Sequence, residues 1–468
     1  MATTKEIEQE EQRRWKPLPE WSAVKWHDGL VTREFVTQEQ EEALEANAIH
    51  AVARFVAEQV PYYQDLFKRL GISADDIRRP EDLLKLPVLT RSDVQEHKAS
   101  LCARALPEGQ RVASMVKTSG STGQPVEVYH SSRSAMMFPI LKQRQMRWAR
   151  IDPMGRIGMI RPPKDLPRGP EGGLLEEGET CERDTWSVQV GPYFQTGRLV
   201  GFSNRNDVDR QVDWVEEQRL DYLLGHAAEL EHLAFGFQDR QPPEGLRGIF
   251  AIAQQLAPEM RQRIERTFSL DVQENYGFNE IGIVATRCVE GGRYHVNAEH
   301  CLVEIVDDDG YPCAPGERGH VVTTTLVNAA MPLIRYDSGD LAEAVGGPCP
   351  CGRSLPAFGD IHGRYRRLLD LPSDTFRYWN ALRTALGDLP ENLSKPLRQY
   401  QLHQYRDGSY ELRIVTAGAL PAAFSERVQA VWAAAASDPP SLAIRVVDEI
   451  PRPRGGKFQD FTSDFSPT

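Results

Sequence analysis

Residues 117–128 read KTSGSTGQPVEV. The segment gathers hydroxyl side chains (Thr118, Ser119, Ser121, Thr122) around Gly120 and Gly123, just ahead of the alternating run Val126-Glu127-Val128. Turns rich in glycine expose backbone amides that converge on phosphate oxygens. Serine and threonine add side-chain donors. The Gly-Lys-Ser/Thr ending of a P-loop is missing, so the pattern is not that of motor and switch nucleotidases. By itself the stretch reads equally well as a solvated turn. Its flanks, 112–116 (VASMV) and 126–128 (VEV), read as strands.

Bulk properties narrow the surroundings of this loop. A chain of 468 residues is too long for one ordinary core and implies two or more domains. A formal net charge of -12 argues against broad attraction to nucleic acid or anionic lipid. The opening MATTKEIEQEEQRRW is polar and acidic, unlike a signal peptide. No apolar run is long enough for a membrane span. Seven cysteines in this length do not make a disulfide scaffold, so a reduced, cytoplasmic setting is expected.

Residues 1–22 read as a loosely held leader. Residues 38–70 carry Ala, Val, Phe and Leu at helical spacing, with a break at Pro61 and a stop at Gly71. Ser131–Ala149 reads as a helix kinked near Pro139, and 161–185, rich in Pro, Gly and Glu, as a long loop or flap. A helix is expected over Leu220–Phe235, a strand at Gly248–Ala253 (GIFAIA), a helix at Pro258–Phe268 and a strand from Val272. Further strands fall at 301–306 and 320–326. After a basic, irregular stretch come strands at 400–405 and 410–415, a helix at 421–435 and a strand at 442–447. The fold class is α/β: a large N-terminal domain of several subdomains, residues 1–363, and a small mobile α+β domain, residues 364–468.

Three more segments bear on the opening loop: NYGFNE at 275–280, IRYDSGD at 334–340 and PRPRGGK at 451–457. In this order and at these separations the four resemble the adenylate-forming superfamily of acyl-CoA synthetases, peptide-synthetase adenylation domains and firefly luciferase. The nearest branch is similar to phenylacetate-CoA ligase. The resemblance spans about residues 45–460 and includes GIF at 248–250 and Pro-Cys-Gly-Arg at 350–353.

The resemblance implies two half-reactions. A carboxylate attacks ATP to give an acyl-adenylate and pyrophosphate, and the acyl group then passes to a thiol, or in some relatives to an amine. Thr118, Ser119, Gly120, Ser121, Thr122 and Gly123 would wrap the β- and γ-phosphates. Gln124 stands where the family usually has lysine, so this lip offers a neutral hydrogen bond in place of a charge. Tyr276 would pack on adenine, Glu280 would help hold Mg²⁺, and Asn279, where Thr or Ser is usual, would face the α-phosphate. Asp340 and Arg364 would meet the ribose. The hinge segment Tyr365–Asp370 departs from the family's usual Asp-Asp pair. Lys457, between the attacking carboxylate and the α-phosphoryl group, would stabilise developing charge, with Gly455 and Gly456 letting its loop enter the cleft.

Cys349 and Cys351 are separated by one proline, and six residues lie between Cys288 and His295. Converging, these four make a Cys₃His set suited to a structural Zn²⁺. The alternative is buried free thiols beside a surface histidine. Some members of the resembling branch carry a similar cluster.

The resemblance further implies a small, aromatic carboxylic acid as substrate, with Met136, Met137, Ile140, Tyr222, His226, Ile252 and Phe278 as candidate walls. The expected cofactors are ATP, Mg²⁺, a structural Zn²⁺ and CoA as acceptor; a homodimer is expected, and neither nucleic acid nor membrane is an expected partner. Two alternatives stay open: an adenylating enzyme of secondary metabolism that transfers to an amine or other nitrogen nucleophile, and a non-catalytic nucleotide-binding protein.

Overall fold

The computed structural model describes residues 29–117, 126–169, 172–191, 194–238, 240–364, 378–379, 382–383, 385–386, 389–435, 439–451 and 458–465. Residues 118–125, 365–377 and 452–457 lie outside the described set, and with them the phosphate-loop positions, the hinge segment and Lys457. The chain divides into two compact units. One comprises 1–151, 192–194 and 275–365, the other 152–191, 195–274 and 366–468. No helix among the described residues is long and apolar enough to cross a membrane.

In the first unit, the helix Gln38–Gln59 starts on a Thr37 capping box and ends at Val60. Pro61 then opens a second helix, Pro61–Leu70, where its missing amide hydrogen costs nothing. Gly71 closes that helix at φ 66°, a conformation that suits glycine. The break at Pro61 and the stop at Gly71 stand as the sequence implied. Strands β1 (Val112–Lys117) and β2 (Glu127–Ser131) pair antiparallel, with Lys117 opposite Glu127. The two ends of the hydroxyl-rich loop are therefore held side by side. The helix Ser132–Trp148 follows directly, capped by Ser131 and carrying Pro139 inside it.

The rest of the unit is an antiparallel sheet. Its strands are β9 (Gly282–Arg287), β10 (Tyr294–Val296), β11 (Cys301–Val306), β12 (Arg318–Thr325), β13 (Tyr336–Ala344) and β14 (Ala357–Arg364), in the order β11-β12-β13-β14-β10-β9. The residues Asn275–Phe278 pair with β9.

A buried charge network anchors residues 30–34 to this unit. Arg144, with no exposed side-chain surface, bonds Glu34 Oε1 (3.1 Å), Asn297 Oδ1 (2.9 Å) and both oxygens of Glu299 (3.0 and 2.8 Å). Trp148 Nε1 donates to the other Glu34 oxygen at 2.9 Å, and Arg147 also pairs with Glu34. Removing one partner of such a set strands a buried charge. Glu34→Leu is therefore expected to cost about 3–5 kcal/mol, read as an earlier urea midpoint, with no shift in midpoint counting against the network's role.

The second unit opens with a mainly parallel sheet. Strands β3 (Ile157–Arg161), β5 (Leu199–Ser203), β6 (Tyr222–Gly225) and β7 (Gly248–Ala251) run parallel in the order β5-β3-β6-β7, and β4 (Thr180–Arg183) adds an antiparallel edge. Helices Val208–Glu217, Ala227–Gly236 and Pro258–Phe268 bury Val212, Val215, Leu230, Leu233 and Ile264 with strand residues Ile160, Leu223 and Ile249. The expected helix over Leu220–Phe235 is corrected here. Tyr222–Gly225 is a buried strand between β3 and β7, and helix begins only at Ala227. A short apolar run fits either state by pattern, and the parallel partners decide it.

The small C-terminal α+β portion is present as expected. Strands β15 (Leu397–Gln404), β16 (Tyr410–Thr416), β17 (Leu442–Val446) and β18 (Phe461–Ser463) lie in the order β17-β16-β15-β18. The helix Ala422–Ala434 presses Phe424, Val428 and Trp432 onto Tyr410, Leu412 and Ile414. Within the same unit this portion meets the helix Ala227–Gly236: Tyr400 Oη donates to Glu231 Oε2 at 3.3 Å, and Phe458 stands edge-on to His232 at 4.6 Å. Burial raises the Glu231 carboxyl to about 7 even though Arg263 lies 3.5 Å away.

Candidate active site

The segments NYGFNE and IRYDSGD come together in the first unit. Val272–Phe278 is strand β8, and its last four residues carry Asn275, Tyr276 and Phe278 against β9. Gly277 is where that ladder shifts register, and an added Cβ there would overlap the Gly282 carbonyl. The other segment enters β13 at Tyr336. The two are linked twice, and reciprocally. Tyr276 Oη donates to Asp340 Oδ2 at 2.9 Å and lies 3.1 Å from Ser338 Oγ. Tyr336 Oη donates to Glu280 Oε1 at 3.0 Å. Each segment thus supplies one tyrosine and one carboxylate, four residues apart, to the other.

Both carboxylates are nearly buried, Glu280 at 6% and Asp340 at 8% exposure, and each accepts a tyrosine hydroxyl hydrogen bond. Arg91 adds an ion pair to Glu280 Oε1 at 3.4 Å. Tyr336 and Arg91 both use Oε1, and no bond to Oε2 is seen among the described residues. That arrangement fits a carboxylate that contributes one oxygen to Mg²⁺. Tyr276 is buried between the edges of Phe278 (5.9 Å between centroids) and Phe358 (5.7 Å). His130 Nε2 meets the Asn279 carbonyl oxygen at 3.2 Å, and burial lowers the pKa of this imidazole. The Arg364 backbone lies opposite Asp340 across β13 and β14. Of the residues read as acid-pocket walls, Met137 and Ile140 pack in a core cluster with Leu30, Leu141 and Ile283.

Cys288, His295, Cys349 and Cys351 also converge, with one donor atom of each lying within 4.8 Å of all the others. The Cys288 and Cys349 sulfurs are 3.9 Å apart, and Cys351 Sγ is 3.3 Å from His295 Nε2. A tetrahedral ion with Zn–S bonds near 2.3 Å sets its ligands about 3.8 Å apart. His295 Nδ1 lies 3.0 Å from the Leu355 carbonyl, which can only accept, so Nδ1 carries the proton and Nε2 keeps its lone pair. Backbone amides of Gly291 and Arg353 point at the Cys288 and Cys351 sulfurs (3.3 and 3.5 Å). A Cβ on Gly291 would collide with Cys349 Sγ. Burial pushes the Cys288 thiol up to about 12. It opposes the Cys351 thiolate too, but hydrogen bonds from Arg353, Cys349 and Cys288 together outweigh it and hold that thiol below its usual value.

No family model matches the chain. Curated proteins do. The chain is 28% identical to the phenylacetate-coenzyme A ligase of Thermus thermophilus over 385 residues, 81% of both chains. It is 26% identical to the enzyme of that name from Aromatoleum evansii, over 80% of this chain and 81% of the other. Among solved structures it resembles 2-hydroxyisobutyryl-CoA ligase in complex with 2-HIB-AMP, with TM-score 0.68, 18% identity, and coverage of 93% of this chain and 92% of that one. At that identity the likeness establishes fold.

Fold, ordered segments and sequence likeness across four fifths of the chain all support the acyl-adenylate-forming superfamily. Within it the chain lies close to the phenylacetate-CoA ligase branch.

Proposed function

We infer that the chain is an AMP-forming carboxylate ligase: it activates a small aromatic carboxylic acid as an acyl-adenylate with ATP and Mg²⁺ and transfers the acyl group to CoA. The observation that carries this reading is the reciprocal pairing of Tyr276 with Asp340 and Tyr336 with Glu280, in a chain similar over most of its length to CoA ligases. Asp340 receives the ribose hydroxyls, with Arg364 beside it in register. Tyr276 stands at adenine, Glu280 offers an oxygen to Mg²⁺, and Asn279 faces the α-phosphate. The loop Thr118–Gly123 takes the β- and γ-phosphates, and Lys457 acts at the α-phosphoryl group. Bound Mg²⁺ would neutralise phosphate charge in the adenylation step. The division into residues 1–363 and 364–468, a homodimer and a cytoplasmic setting belong to the same reading.

The four-residue cluster holds a structural Zn²⁺. Four protein ligands fill a tetrahedral ion, which leaves no position for substrate. Support comes from the ligand spacing, the Leu355 bond to His295 and the two amide-to-sulfur contacts.

Acid-dependent ATP–pyrophosphate exchange tests the first half-reaction, and product mass after adding CoA or a panel of amines tests the second. No exchange with any acid in an aryl and arylacetic panel rules out the ligase; an amide product without thioester assigns the acceptor to nitrogen. In the same assay Tyr276→Phe, which removes the bond to Asp340, is expected to raise KM for ATP roughly 3- to 10-fold. An unchanged KM would separate Tyr276 from nucleotide binding.

A further inference from the structure

On the Ser132–Trp148 helix, Lys142 Nζ donates to Gln145 Oε1 at 3.0 Å. Asn275 Nδ2 donates to the same oxygen at 2.8 Å. Asn275 opens the NYGFNE segment and precedes Tyr276, so one amide oxygen joins the lysine to the start of the nucleotide segment. Phe138, one helical turn back, has its ring centre 6.0 Å from Nζ. Among the described residues no carboxylate pairs with this ammonium, and burial alone acts on it, lowering its pKa to about 8. Its neighbours on the helix differ sharply: Arg144 and Arg147 both pair with Glu34.

A half-buried cation that, among the described residues, meets only a neutral amide, already shared with a second donor, and a ring face is left with part of its desolvation cost uncompensated. An anion brought in by a ligand would offset it. One ammonium balances one carboxylate, whereas a phosphate chain would call for more cations than this cluster contains. The Phe138 ring beside Nζ offers an apolar face for the part of the ligand that carries the charge.

We propose that Lys142 receives a carboxylate of the acid substrate other than the one that is adenylated, so that the chain prefers an aromatic dicarboxylic acid to the matching monoacid. This rests on the ligase reading above and specifies its substrate class. The carboxylate that reacts must reach ATP, and the second one fixes the ring by its ion pair.

The test is pyrophosphate exchange on matched pairs, benzoate with isophthalate and terephthalate, and phenylacetate with 4-carboxyphenylacetate. The wild-type chain should favour a diacid in at least one pair. Lys142→Met should lower that diacid-to-monoacid ratio of kcat/KM by at least about 30-fold, chiefly through KM of the diacid. Lys142→Arg should retain most of the ratio, and Lys142→Gln serves where the methionine variant does not fold. A purely structural lysine would scale both acids together, so an unchanged ratio overturns the proposal. So does a rise confined to KM for ATP, or wild-type preference for the monoacid in every pair. Exchange with no acid at all removes the ligase reading, and the proposal with it; exchange with monoacids alone removes only the proposal.

Discussion

Replacing Lys457 by alanine is expected to slow acid-dependent pyrophosphate exchange roughly 100- to 1,000-fold, while ATP binding, followed by calorimetry, changes little. Charge builds on the α-phosphoryl group only as the carboxylate attacks, so a cation placed there favours the transition state over the ground state. Loss of that cation should therefore appear in kcat and not in the affinity for ATP. Lys457 itself is outside the described residues, but its neighbours are tied down. Gln254 Nε2 donates to the Phe458 carbonyl at 2.9 Å, and Gln401 Nε2 donates to the Gln459 carbonyl at 2.8 Å. The Phe458 ring is buried against His232. An unchanged exchange rate in Lys457→Ala would remove this lysine from the chemistry. A rise in KM for ATP with kcat unchanged would recast it as a ground-state phosphate contact. Gln124 sharpens the expectation: with an amide where the family resemblance implies lysine, the 117–128 segment carries less positive charge, and more of the stabilisation would rest elsewhere.

The second large effect is expected at the cysteine cluster. Protein purified without a metal-affinity tag should contain close to one zinc per chain, and Cys351→Ser should lose it. The lost metal should lower the first thermal transition by about 10 °C. His295 lies on β10, whose other partner is β14, and β14 lies against β13 with Asp340. Tyr294 and Phe358 stack across that strand pair with centroids 5.4 Å apart. Arg353, two residues from Cys351, covers the Trp148 ring at 4.2 Å and reaches Glu34 at 3.5 Å. Loosening the cluster should therefore disturb the neighbouring strand β14 and, through it, β13 with Asp340, and weaken exchange together with stability. Protein free of zinc with unaltered melting behaviour would assign the four residues to a thiol cluster.

Much of the fold could be read in advance because local chemistry decided it. Pro61 and Gly71 bound their helices through a missing amide hydrogen and a left-handed backbone, effects that need no distant partner. Pro258–Phe268 and Cys301–Val306 lie where periodicity placed them. Tyr222–Gly225 did not, because a short apolar run records burial but not the direction from which burial comes.

For the site, the order of four short segments sufficed to name the superfamily, and the close pairs Cys288 with His295 and Cys349 with Cys351 marked four candidate ligands, which the fold brings together. Such order and close spacing are properties of residue type and separation, which a chain carries before it folds. The reciprocal bonds of Tyr276 with Asp340 and Tyr336 with Glu280 join residues more than fifty positions apart and exist only through the pairing of strands. Lys142, Arg144 and Arg147 look interchangeable along one helix. Only tertiary structure gives two of them a buried carboxylate and the third, among the described residues, none, because charge pairing depends on which surface each turn of the helix faces.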